Sequence, residues 1–134
     1  MSLVELFDFI KNDNLAKVKE VLAKNPKILN EMYYGATALI YSIECDNEKI
    51  CSELCQYPNI DLNCKSNEGD TVLMKAIAHK MFKMIEFFCI KLQKTALNQL
   101  LDNGETFLTD TLKRDEKDSS IALINGILKT FMVL

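Results

Sequence analysis

The 134-residue chain predicts an all-α fold, a helical solenoid of about four stacked helix–turn–helix units. Three observations predict it. Turn formers are scarce, with 4 Gly and 2 Pro, which argues against a sandwich or barrel that needs many tight turns. Apolar residues recur at helical spacing along most of the chain. A short glycine-headed pattern returns three times, at Gly35, Gly69 and Gly104, 34 and then 35 positions apart. A period of that length marks an array in which no unit buries its own core and each must stack on the next.

The first unit opens with Val4 to Lys11, where Val4, Phe7 and Ile10 share a face with Leu6 beside them. Asn12-Asp13-Asn14 supplies turn chemistry. A second helix runs from Leu15 to Lys24 with Val18, Val21 and Leu22 inward, and ends at Asn25-Pro26 because the residue before proline avoids the helical region. A short non-helical link from Glu31 to Tyr34 then leads to Gly35. Thr37 caps a helix over Ala38 to Glu44, Asp46-Asn47 turns the chain, and Glu48 to Gln56 follows with Ile50, Cys51, Leu54 and Cys55 on one face.

Tyr57-Pro58-Asn59 stops that helix, and an irregular stretch from Ile60 to Glu68 reaches Gly69. Thr71 caps Val72 to His79. Phe82 to about Leu92 is its partner, with Phe82, Ile85, Phe88, Cys89 and Leu92 inward, and Lys94 to Leu101 adds a separate helical turn. Asp102-Asn103-Gly104 closes the unit, and a fourth opens at Thr106. Phe107 to Leu112 is its first helix, Lys113 to Ser120 a polar turn, and Ile121 to Met132 the last helix. The chain is thus one domain of four repeats, at about 1–30, 31–64, 65–101 and 102–134.

The glycine-headed pattern is G-x-T-x-L, as Gly35-Ala36-Thr37-Ala38-Leu39, Gly69-Asp70-Thr71-Val72-Leu73 and Gly104-Glu105-Thr106-Phe107-Leu108. Each residue type has a local reason. Glycine permits the positive φ of a tight turn. Threonine satisfies free N–H groups in the first helical turn. Leucine is the first side chain driven inward.

These stretches resemble the ankyrin-repeat family, whose repeat of 33 residues opens its first helix with T-P-L-H-x-A. The matching residues are Thr37-Ala38-Leu39-Ile40-Tyr41-Ser42, Thr71-Val72-Leu73-Met74-Lys75-Ala76 and Thr106-Phe107-Leu108-Thr109-Asp110-Thr111. Leu15–Leu22 and Phe82–Cys89 are similar to the family's second helix, and Ile60-Asp61-Leu62-Asn63 to its linking segment. The proline and histidine of the opening are absent. The family's glycine between the two helices is replaced by Asp13, Asp46, Lys80 and Asp115.

The resemblance implies a non-catalytic role in protein–protein binding, through a concave face built from finger tips and the exposed ends of first helices. The positions resembling finger tips are Tyr33, Tyr34, Ala36, Asn67, Glu68, Asp70, Asn103 and Glu105. Those resembling helix ends are Lys11, Asn12, Glu44, Cys45, Ala78, His79, Lys113 and Arg114. Tyr33-Tyr34 stands out because tyrosine is enriched at binding hot spots. The plainer reading is that one of the pair packs on its neighbour, and both readings stay open. The mechanism implied is rigid presentation, so that docking orders little.

Composition narrows the rest. At 49% hydrophobic and 26% charged residues the chain is not disordered. A net charge of −3 without a basic stripe argues against nucleic acid. No run approaches the roughly 18 apolar residues of a membrane span, so no membrane partner is expected. Five cysteines, an odd number with no secretory signal ahead of them, favour reduced thiols and a cytoplasmic setting, including a host cytosol if the source is a pathogen. No C-x2-C pair occurs, so Cys51 and Cys55 are read as packing residues and no metal or cofactor is expected.

Two alternatives remain. A thiol enzyme or regulator would use Cys45 or Cys64 with His79 and would need a depressed thiol pKa. A homo-oligomer would associate through the apolar run Ile121–Leu134, which otherwise folds back on the fourth repeat or marks truncation of a longer array.

Overall fold

The computed structural model describes residues 3–102, with side chains described as far as Leu92. Over that span the chain forms six α-helices: α1 (Leu3–Lys11), α2 (Leu15–Lys24), α3 (Ala38–Glu44), α4 (Glu48–Leu54), α5 (Val72–Ala78) and α6 (Phe82–Asp102). A 3-10 helix, Pro26–Asn30, joins α2 to α3. The only extended pairings among the described residues are single bridges, Tyr33 with Ala36 and Lys65 with Thr71. The expected fourth repeat, with Asn103, Glu105, Lys113, Arg114 and Ile121–Leu134, lies outside the described residues.

Four of the six described helices, α2 to α5, start where a side chain takes up a free amide. Thr37 accepts from the N–H of Ile40 at 3.3 Å, and Thr71 from that of Met74 at 3.2 Å. The second helices use asparagine instead: Asn14 accepts from Lys17 at 3.2 Å and Asn47 from Ile50 at 3.0 Å. Between paired helices the chain must pass through a left-handed residue, and Asp13, Asp46 and Lys80 have φ of 55°, 56° and 58°. These are the positions where the resembled family carries glycine. Aspartate visits this region at modest cost, lysine less readily.

Several boundaries differ from the sequence reading. Asn25-Pro26 ends α2 as expected, but proline at the first position then starts the 3-10 helix, because its fixed φ suits a first turn. The separate turn expected at Lys94–Leu101 is instead the continuation of α6, which runs unbroken for 21 residues. No glycine or proline interrupts Leu92-Gln93-Lys94-Thr95, so nothing stops the helix there. α4 ends at Leu54, two residues short of the expected Gln56, and the chain leaves it through turn bonds such as Gln56 N–H to the Glu53 carbonyl at 3.1 Å.

The fold divides after Lys75. In the first part α1 packs on α2, α3 on α4, and α1 on α3. Leu6, Ile10, Val18, Leu39, Ile43, Ile50 and Leu54 are fully buried there. From Ala76 onward, Ile85 and Phe88 are fully buried and Met81, Met84 and Cys89 nearly so. The N–H of Met81 closes the turn between α5 and α6 on the Ala76 carbonyl at 3.0 Å.

Bonds spanning about one period tie successive units of the first part. Asn47 donates its side-chain amide to Asp13 at 2.8 Å. Asn30 reaches across to donate to the Asn59 carbonyl at 2.7 Å and accept from the Asp61 N–H at 2.9 Å.

Candidate functional site

Two fingers project from this frame. In the first, Tyr33 and Ala36 exchange backbone bonds of 2.8 and 3.3 Å around Tyr34-Gly35. Both turn residues have positive φ, 49° at Tyr34 and 84° at Gly35, as a type I′ turn requires. The second finger is closed by Ser66, whose N–H donates to the Asp70 carbonyl at 2.9 Å and whose carbonyl accepts from Gly69 at 2.9 Å. The fingers touch: the N–H of Asn67 donates to the Gly35 carbonyl at 3.0 Å.

The turn splits the tyrosine pair. Tyr33 is half-buried with its ring 5.0 Å from Phe7, and Tyr34 stands 92% exposed with its edge against Tyr33 at 4.6 Å. Phe7 in turn lies 5.0 Å from Tyr41 of α3. The four rings form a continuous aromatic ribbon from finger tip to helix. It floors an open cleft of about 300 Å³ between α1, the first finger and α3, with Val4, Asp8, Lys11 and Glu44 at its rim. Val4 is 55% exposed, an uncovered apolar side chain at the mouth.

Of the positions expected to bind, Lys11, Tyr33, Tyr34 and Glu44 meet at this cleft. Ala36 borders the cleft too but is only 5% exposed. Asn12 is exposed on the turn after α1. Asn67 and Glu68 are exposed on the second finger. Ala78 is exposed and His79 half-buried at the end of α5, beyond the Lys75 division.

Glu44 and Asp70 are joined by a residue that sequence reasoning passed over. The Lys75 ammonium sits 3.2 Å from Glu44 and 3.5 Å from Asp70, with its side chain only 16% exposed. Burial alone would lower the Lys75 pKa, but the hydrogen bond to Glu44 and the charges of Glu44, Asp70 and Glu68 outweigh it and raise it. Val4, Phe7, Asp8 and Tyr41 were missed as site residues too. Their signal was present: Val4, Asp8 and Lys11 share a helix face at three- and four-residue steps, as do Tyr41, Glu44 and Cys45.

Four of the five thiols are shifted away from an activated nucleophile. Burial pushes Cys45 up, against the opposing pull of its hydrogen bond with Tyr41, and burial also pushes Cys64 up despite its 3.3 Å contact with the Thr37 hydroxyl. A hydrogen bond with Cys51 and then burial raise Cys55, and burial raises Cys89 to about 11. A thiol enzyme needs the opposite shift. No group of three or more histidine, cysteine or acidic side chains among the described residues is placed to hold a metal ion. No helix among them is long and apolar enough to cross a membrane.

Capped helix pairs, left-handed turns between them and touching fingers define a helical-repeat stack. A family model for ankyrin repeats, in three copies, matches residues 6–99, and the chain belongs to the ankyrin-repeat family. Ankyrin repeats are generally protein–protein interaction modules. No curated protein and no solved structure matches the chain.

Proposed function

We propose that this chain is a non-catalytic binding module that docks a partner protein on its finger tips and the aromatic cleft behind them, with Tyr34 as the anchor. The observation that carries this reading is Tyr34 itself. A large ring held 92% exposed and at φ 49° contributes little to folding on either count. A non-glycine residue in the left-handed region costs on the order of 1 kcal/mol, and such outliers gather at functional sites. Its neighbour Tyr33 is packed on Phe7 and holds the exposed ring in place, so little side-chain entropy is lost on docking.

A net charge of −3 disfavours nucleic acid as the partner, and five free cysteines suit a reducing, cytoplasmic compartment. The flanking Lys11, Asn12, Glu44, Asn67, Glu68 and Asp70 serve as rim contacts, which individually contribute less than a central aromatic.

A photoreactive phenylalanine placed at Tyr34 tests the reading, with the same group at Lys24 on α2 as control. Expected is a covalent adduct with a discrete partner from position 34 only, and capture weakened about thirtyfold by Tyr34→Ala, as for a hot spot of about 2 kcal/mol. Equal adducts from both positions, or capture unaffected by Tyr34→Ala, refute the placement.

A further inference from the structure

We propose that the aromatic cleft accepts an arginine side chain presented by a basic segment of the partner, an inference that rests on the binding role proposed above. The floor is a ribbon of ring faces and edges, Tyr34, Tyr33, Phe7 and Tyr41, at successive centroid distances of 4.6, 5.0 and 5.0 Å. Aromatic faces attract cations, and a planar guanidinium also stacks on them. The volume of about 300 Å³ holds one long side chain.

The charges beside the ribbon select the sign of the occupant. Asp8 lines the cleft and forms no ion pair among the described residues. Glu44, on the opposite wall, shares the single ammonium of Lys75 with Asp70, so two carboxylates are balanced by one cation. Glu68 adds its field to the same group. Among the described residues Lys11 is the one cation lining the cleft. In the described lining Asp8 and Glu44 thus meet Lys11, while Lys75 behind Glu44 is shared with Asp70 and lies in the field of Glu68.

An anionic occupant would meet the excess negative charge, and a purely apolar one would desolvate Asp8 without pairing it. A guanidinium satisfies both demands: its plane lies on the rings and its N–H groups donate to the Asp8 carboxylate. Lysine fits less well, because a compact and strongly hydrated ammonium stacks poorly. Basic residues flanking the arginine meet the finger carboxylates.

The chain has four tyrosines and no tryptophan. Three of the four, Tyr33, Tyr34 and Tyr41, line the cleft, so ring resonances report occupancy directly and Tyr57 is an internal control. The labelled chain is titrated with capped pentapeptides of glycine and serine carrying arginine, lysine or the neutral isostere citrulline at the centre. Expected are shifts of Tyr33, Tyr34 and Tyr41 but not Tyr57 with the arginine peptide. Citrulline binds at least fivefold more weakly, with lysine between. Asp8→Asn, at an exposed position, weakens the arginine peptide severalfold and leaves citrulline unchanged. Citrulline binding as well as arginine, or an arginine peptide that moves none of the three rings, overturns the proposal. If position 34 still cross-links to a partner in that case, the binding role stands and only the arginine assignment falls. If neither occurs, both fall.

Discussion

The N–H of Asn67 donates to the carbonyl of Gly35 at 3.0 Å, while the Asn67 side-chain nitrogen lies 2.8 Å from where a Cβ on Gly35 would sit. Two fingers whose key residues are 32 positions apart therefore meet at a point where only glycine fits without adjustment. Gly35 answers two requirements at once, the turn's φ of 84° and the close approach of its neighbour.

Gly69 separates those two requirements. It has φ 86° and nothing within 4 Å of a built Cβ. Gly69→Ala is expected to cost about 1 kcal/mol from backbone strain alone. Gly35→Ala should lose slightly more, because the flexible Asn67 amide must swing aside. In the Asn67→Ala background the two alanine substitutions should become equal. Urea midpoints of the four variants check this, and a persistent difference would show that the extra loss has another source.

The left-handed turns between helices predict a gain rather than a loss. Lys80 holds φ 58° with a side chain that tolerates it poorly, so Lys80→Gly should stabilise the fold by up to about 1 kcal/mol. Asp13→Gly should give less, or nothing, since Asp13 tolerates the conformation better and would forfeit its 2.8 Å bond from Asn47. Thermal denaturation of both variants measures the contrast.

Lys75 predicts a cross-finger defect. Lys75→Met keeps the stem but leaves Glu44 and Asp70 facing one another without their shared cation. A loss of about 1 kcal/mol is expected, with Lys75→Arg recovering most of it. Added salt should shrink the difference by screening the exposed carboxylates. A Lys75→Met protein as stable as its parent would mean that the triad is held for the binding surface alone.

Alkaline pH should weaken the fold through its thiols. Cys89 is raised from 9.0 in the free thiol to about 11 by burial. The folded state therefore holds its proton over a range in which the unfolded chain has released it. That contribution is complete below about pH 9 and lost as pH rises through 11. Urea midpoints should fall across that window, and Cys89→Ala should flatten the fall. Alkylation of the native protein near pH 8 should be slow at Cys45, Cys64 and Cys89, and quick once urea exposes them.

Much of the architecture was legible because its causes are local. Thr37 and Thr71 cap the helices they precede, Asn12-Asp13-Asn14 and Asp46-Asn47 turn the chain, and apolar spacing marks the inward faces. α6 runs past the boundary expected near Leu92 because no residue there enforces one. The site was legible only in part. Tyr33 and Tyr34 were visible as a pair, but their division of labour depends on a turn that buries one ring on Phe7 and expels the other. Tyr41 and Lys75 act through contacts with residues dozens of positions away, which no local pattern encodes. Ala36 lines the cleft yet is nearly buried, a balance set by packing that no local pattern encodes.

The bonds from Asn47 to Asp13 and from Asn67 to Gly35, 34 and 32 positions apart, give the chain a particular tolerance to change in length. Each tether reaches one unit along and no further. Duplicating a whole unit would leave the register of each tether intact. Inserting a single residue between Gly35 and Asn67 would put Asn67 out of step with its acceptor. Growth by whole periods therefore keeps neighbouring units in step, whereas a single residue added between two tethered positions does not.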